Sequence, residues 1–219
     1  MVVSCDLTEH LVFGHIFFTG RLSAEMDRDA HGRFAELWEL HPADFHLIRQ
    51  PATGKWIPLP RWQQAYGHDY RYTENVNRAL PMPPNLEPFL AWTQQGFDAR
   101  LNGLLLNWYD AEQRHYIGAH RDSIVGLVSG TRIVTISLGA SRTFRLRPMR
   151  AKGFMDFEGS HGMVFVLPWE SNLNLKHEVP HQKSAMQWPP SCGGRKNGAA
   201  PGKRRARPCR RQEDDPRTD

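Results

Sequence analysis

Apolar and polar positions fall into two regimes along this chain. Up to about residue 100 they mix helical and extended spacing. Val12 to Phe18 is an apolar run that predicts a strand. Asp29 to Leu40 places Phe34, Leu37, Trp38 and Leu40 at helical spacing, and Pro42 ends that helix early. Phe45 to Ile48 predicts a further strand. Pro60 to Tyr72 is aromatic, polar and broken by proline and glycine, which predicts irregular or strand-loop structure. A proline-rich connector over Ala79 to Asn85 leads into a helix predicted from Leu86 to Arg100. Its apolar face is Leu86, Phe89, Leu90 and Phe97, and Pro88 is tolerated in its first turn.

From Leu104 the pattern becomes β. Residues 104–109, 132–138, 143–148, 154–157 and 162–168 are short apolar runs separated by Gly, Ser, Asp or Pro. Ser137 to Ala140 predicts a tight hairpin into Thr143. Such spacing predicts an α+β, mainly β, fold of sandwich or jelly-roll type. After Gln187 large apolar residues nearly vanish, and Gly, Pro and Arg dominate. That composition predicts a basic, disordered tail over 188–219 following a single domain over 1–187.

Charge sharpens this division. The 219 residues carry a formal net charge of +5. From Trp188 onward there are nine Lys or Arg against four Asp or Glu, whereas residues 1–187 hold 19 of each sign. The basic character therefore belongs to the tail, where it could hold phosphates. Three widely separated cysteines, Cys5, Cys192 and Cys209, exclude a disulfide framework and fit a reducing compartment. The N-terminus has no basic n-region and no window of 18 apolar residues exists, so the expectation is a cytoplasmic monomer without a membrane segment.

Candidate chemistry centres on His120-Arg121-Asp122. Residues two apart in extended backbone point to the same side, so an imidazole and a carboxylate lie together. His177, 55 residues after Asp122, offers a third ligand. Two histidines and a carboxylate leave three positions open on Fe(II), enough for a bidentate keto acid and O₂. The same set with zinc and a water would make a hydrolase site. Asn107 and Tyr109 share one face of the preceding strand and could hydrogen-bond a cosubstrate carboxylate or keto oxygen. Arg61, Tyr66, Tyr72 and their aromatic neighbours could stack and bind a flat or charged ligand such as a base.

The motifs resemble one family when taken together. Pro60-Arg61 with Tyr66-Gly67, Asn107-Trp108-Tyr109, His120-Arg121-Asp122, Ile136-Ser137-Leu138-Gly139, Arg142-Thr143-Phe144 and Lys176-His177-Glu178-Val179-Pro180 follow the AlkB family of Fe(II)- and 2-oxoglutarate-dependent dioxygenases in order and spacing. The resemblance implies a double-stranded β-helix over 101–187, supported by an N-terminal nucleotide-recognition lid over 1–100. It implies iron held by His120, Asp122 and His177, with no catalytic residue beyond the metal centre. It implies 2-oxoglutarate held by Asn107 and Tyr109, and substrate met by Arg61, Tyr66 and Tyr72. The implied reaction is oxidative demethylation of an alkylated base in DNA or RNA, the base leaving its stack to enter the pocket.

Two departures separate this chain from the family pattern. Ile124 stands where an acidic residue reads the base edge in some members. The arginine-bearing RxNxTxR strand that binds the 2-oxoglutarate carboxylates is replaced by Arg195-Lys196-Asn197 followed by Gly198 and Pro201, poor strand formers. Arg195 is the one cosubstrate-binding candidate there. The abrupt change after His181 suggests an altered C-terminus. Three readings follow: a nucleic-acid dioxygenase, a dioxygenase of another substrate, and a catalytically impaired copy.

Overall fold

The computed structural model describes residues 6–72 and 75–182, all within one compact unit, Met1–Trp188. Its first elements are strands β1 (Thr8–Val12) and β2 (His15–Arg21). The single strand predicted over Val12 to Phe18 is thus split. Phe13 (φ 51°) and Gly14 (φ 82°) both adopt the left-handed conformation and turn the chain into a hairpin. Helix α1 (Ala24–Gly32) begins where the Ser23 hydroxyl accepts the Met26 amide at 3.3 Å. Helix α2 (Phe34–Glu39) follows after a break at Arg33, so the one predicted helix is two.

Strands β3 (Leu47–Arg49) and β4 (Trp56–Pro58) pair antiparallel. The stretch read as irregular or strand-loop holds two strands, β5 (Trp62–Tyr66) and β6 (Tyr70–Tyr72), and β7 (Asn75–Asn77) and β8 (Ala79–Leu80) follow it. The buried amide side chains of Asn75 and Asn77 stand in for missing backbone bonds, accepting the Arg49 and Ala65 amides at 2.9 Å each. Helix α3 (Glu87–Gly96) buries Phe89 and Trp92, and Phe97 lies just past its end against Trp92.

Strand β9 (Leu104–Trp108) pairs with β5, and Trp108 donates its indole N–H to the Leu37 carbonyl at 2.9 Å, tying this sheet to α2. The chain continues through β10 (Ile117–His120), β11 (Ile133–Ile136), β12 (Arg142–Pro148), β13 (Met155–Gly159), β14 (Met163–Leu167), α4 (Trp169–Asn174) and β15 (Leu175–Val179). Two four-stranded sheets result, ordered β1-β2-β14-β11 and β10-β15-β12-β13. Their inner faces meet in one apolar cluster: Val12, Phe17, Phe165 and Leu167 from the first sheet, Phe144, Leu146 and Leu175 from the second. This is the expected jelly roll. No helix among the described residues is long and apolar enough to cross a membrane.

Strand β14 explains its own sequence. Phe165 and Leu167 face the sandwich interior, while Val164 and Val166 pack with Leu22, Leu37, Phe89, Trp92 and Trp108 beneath the helices. A strand covered on both faces reads as a continuous apolar run rather than an alternating one. The predicted hairpin at Ser137–Ala140 is absent, because β11 pairs with β14 and β12 pairs with β13 and β15. The segment instead crosses from one sheet to the other. Gly139 makes that crossing with φ at 85°, and a Cβ placed there would lie 2.6 Å from Phe34 Cζ.

Gly139→Ala combines a left-handed residue with a clash against the Phe34 ring. It should cost about 2–4 kcal/mol. Thermal unfolding should show a fall in Tm of roughly 5–15 °C.

Candidate metal centre

The two histidines of the candidate triad are cross-strand partners. Strands β10 and β15 run antiparallel with His120 directly opposite His177, and their ring centroids are 4.3 Å apart. Asp122 lies two residues past His120, beyond the end of β10. Its oxygens sit 4.0 Å from His120 Nε2 and 3.6 Å from His177 Nε2. All three ligand atoms fall within 4.8 Å of one another.

Each ligand is oriented from behind. His120 Nδ1 is 2.9 Å from the Gly118 carbonyl, which fixes the proton there and leaves Nε2 bare toward Asp122. Burial, then the adjacent His177 ring, holds the His120 imidazole neutral, down to about 4. The His177 ring lies at 15° to Phe144, centroids 5.5 Å apart, so the aromatic core that holds Phe17, Phe144 and Phe165 extends to the ligand. Asp122 is held at both its ends. Its carboxylate accepts the Tyr70 hydroxyl at 3.0 Å. Its backbone N–H donates to Asn172 Oδ1 and its carbonyl accepts from Asn172 Nδ2, each at 3.1 Å. Asn172, on α4, is 1% exposed.

Bare imidazole nitrogens converging with a carboxylate, with no Lys or Arg paired to that carboxylate among the described residues, suit a divalent cation. The donor set therefore fits Fe(II).

A second group of amide, phenol and guanidinium side chains gathers around Asn107 and Tyr109. Arg61, 5% exposed, donates from Nε to Asn107 Oδ1 at 2.6 Å. The Arg142 guanidinium sits 5.6 Å from the Tyr109 ring centroid. Burial pushes the Tyr109 hydroxyl up, while Arg61 and Arg142 pull the other way. The sequence therefore placed Asn107 and Tyr109 on a face shared with two cations, of which it had assigned only one, and that one to the substrate. Arg61 is not on an outer face: it is buried against the expected cosubstrate amide. Tyr72 stands next to Tyr70, centroids 5.4 Å apart, with its hydroxyl buried and unpartnered; burial pushes that hydroxyl up to about 12.

Tyr66 is elsewhere. It is 4% exposed in the core beneath the helices, and its hydroxyl donates to the Leu40 carbonyl at 3.3 Å. Side chains alternate along β5, and Tyr66 falls in the set that packs inward, so the substrate role expected for it is corrected to one in packing. Arg195 lies outside the described residues. Asn172 was not assigned to the site from sequence, and Tyr70 only as one of the aromatic residues able to stack a base. Tyr70 carried a weak signal through its place in the aromatic stretch. Asn172 carried none, since its contact spans 50 residues.

Comparison with known proteins gives this arrangement its family. The profile of the 2OG-Fe(II) oxygenase superfamily matches residues 22–210. The chain belongs to that superfamily. Within it the chain is AlkB-like, and the family's requirements are Fe(II), 2-oxoglutarate and O₂. It is 28% identical over 151 residues to the DNA oxidative demethylase ALKBH2 of Bos taurus and to that of Homo sapiens. The alignment covers 64% of this chain but 54% and 58% of those proteins, so the chain spans a little over half the length of its relatives. The solved structure of OsALKBH1 shares the fold at a TM-score of 0.50 and 15% identity, over 75% of this chain and 84% of that one.

Asn172→Ala removes both bonds to the Asp122 backbone without touching a ligand atom. Metal affinity should fall by about 10- to 100-fold, read by calorimetric titration with Mn(II).

Proposed function

We propose that this 2-oxoglutarate-dependent dioxygenase oxidatively demethylates alkylated bases in DNA or RNA. The observation that carries the reading is the placement of Tyr70 and Tyr72 against the metal-facing carboxylate: Tyr70 bonds Asp122, and Tyr72 adds a second ring with a buried, unsatisfied hydroxyl. Aromatic faces with an unspent hydrogen-bond donor suit a planar heterocycle drawn out of its stack. The named activity of the ALKBH2 relatives supports the same substrate class.

The roles divide by chemistry. His120, Asp122 and His177 hold the ion. Asn107 and Tyr109 orient the keto acid, and Arg61 fixes the Asn107 amide in place. Bound iron, with 2-oxoglutarate and O₂, supplies the oxidising power: the keto acid leaves as succinate and CO₂, and the N-alkyl carbon is hydroxylated and lost as an aldehyde. Tyr70 remains a protonated donor to Asp122, because burial and the adjacent carboxylate push its hydroxyl up.

The loop after Asp122 favours a second reading of substrate. Ile124 is followed by Val125 and Val128, 62% and 56% exposed. An apolar lip with no carboxylate suits selection by shape and contact rather than by hydrogen bonds to a base edge, and so leaves room for a substrate other than nucleic acid.

With Fe(II) and 2-oxoglutarate, the full chain should release formaldehyde and restore the base in oligonucleotides carrying N-methylated adenine or cytosine. His177→Ala should lower that turnover by at least about 100-fold, as expected when one of three ligands is lost. Succinate formed without demethylation of any DNA or RNA oligonucleotide would move the assignment to the second reading.

A further inference from the structure

Two loop tips meet at one end of the sandwich. The first is the turn between β1 and β2, where Phe13 and Gly14 adopt left-handed backbone. The second is the loop from Met149 to Phe154 between β12 and β13. A Cβ placed on Gly153 would lie 3.4 Å from the Phe13 ring, so the two tips touch. Strand β13 is the far edge of its sheet from β10, in the order β10-β15-β12-β13. The tips therefore lie away from the strand that carries His120.

Both tips show apolar side chains to water. Leu11 is 73% exposed and stands opposite the exposed Ile16 across the hairpin. Phe154 is 52% exposed, and Phe13 and Met155 are exposed as well. A phenylalanine in left-handed backbone is strained where asparagine would be relaxed, and its exposed ring gains little burial in return. Exposed apolar groups gathered in one place mark a contact surface. Cations rim this one. The Arg145 and Arg147 guanidinia lie 3.9 Å and 5.2 Å from the Phe154 ring centroid, and Arg150 and Lys152 are exposed in the same loop. Asp156 and Glu178 pair with Arg145 and Arg147, whereas no carboxylate among the described residues pairs with Arg150 or Lys152.

A partner for this surface must be anionic and must also accept apolar side chains. A second copy of the tips would bring like cations together. Nucleic acid supplies anions, but Leu11, Ile16 and Met155 have no flat face on which a base could stack. A bilayer with anionic headgroups supplies both needs, an apolar layer for the tips and phosphates for the cations. We infer that the β1–β2 turn and the β12–β13 loop form a docking surface for an anionic lipid bilayer. Leu11, Phe13 and Phe154 enter the headgroup layer, and Arg150 and Lys152 meet the lipid phosphates. The contact is peripheral: it spans nothing and uses no residue of the metal centre.

Sedimentation of the full chain with vesicles at physiological salt tests the assignment. Phosphatidylcholine vesicles containing one quarter phosphatidylglycerol should carry the protein down, and pure phosphatidylcholine vesicles should not. Arg150→Gln with Lys152→Gln should weaken binding about 25-fold, each cation at a charged bilayer being worth about fivefold. Leu11→Ser with Phe154→Ser keeps every charge, including the basic residues after Trp188, and should weaken binding by at least about 10-fold. All four side chains are exposed, so Tm and Mn(II) affinity should stay at their wild-type values. No sedimentation at millimolar lipid overturns the proposal. A serine variant that binds like wild type also overturns it, because charge alone would then hold the chain. An equal loss of affinity for a DNA or RNA oligonucleotide in the serine variant overturns it in favour of nucleic acid. If the serine variant fails to fold, the glutamine variant decides: a loss of about 25-fold supports the docking surface, and unchanged binding overturns it.

Discussion

The register between β10 and β15 is the constraint on which the site depends. It sets His120 opposite His177, and a slip of one residue would turn one imidazole to the other face of the sheet. That register is held from outside the pair. On the far side of β15, Leu146 of β12 stands opposite His177, so the ligand strand is flanked on both sides. Above it, Phe144 stacks on the His177 ring and carries the packing of Phe17 and Phe165 up to the metal position. Core and site are one continuous structure here. A cavity opened among these rings would be felt at a ligand, because packed interiors transmit strain.

Charge is distributed around the pocket with the same economy. Asp122 accepts from the neutral phenol of Tyr70, while Arg61 bonds the Asn107 amide and Arg142 lies over the Tyr109 ring. The surface of the fold tells a different story: Arg78 pairs with Asp69 and Arg145 with Asp156 in solvent-facing bridges worth little to stability, and Arg147 with the more buried Glu178. Arg142 and the paired arginines of the same strand thus do unrelated things, and only their position in the alternation separates them.

Much of this was legible in the sequence, for a physical reason in each case. The strands from Leu104 onward announced themselves because a sandwich buries alternate residues, and β14 because it is buried on both sides. His120 and Asp122 were legible together because extended backbone fixes their common side. What could not be read was long-range. No local pattern says that His177 sits opposite His120, that Asn172 grips the Asp122 backbone, or that Ser137 to Ala140 bridges two sheets instead of closing a hairpin. The stretch from Pro60 to Tyr72 left irregular and strand-loop structure both open, because the partners that make β5 a strand, β9 and the Asn77 side chain, are distant in sequence or carry no local pattern. Tyr66 misled because aromatic residues look alike in sequence whether they face a ligand or a core.

Asn172 gives α4 a stake in the ion. The helix contributes no ligand atom, yet its amide side chain holds Asp122 through the backbone. Linkage between two such elements is reciprocal. Whatever free energy an aligned Asp122 adds to ion binding, an occupied centre returns to the segment that aligns it. By that linkage, ion binding adds stability to a short connector between β14 and β15 that touches no ion itself.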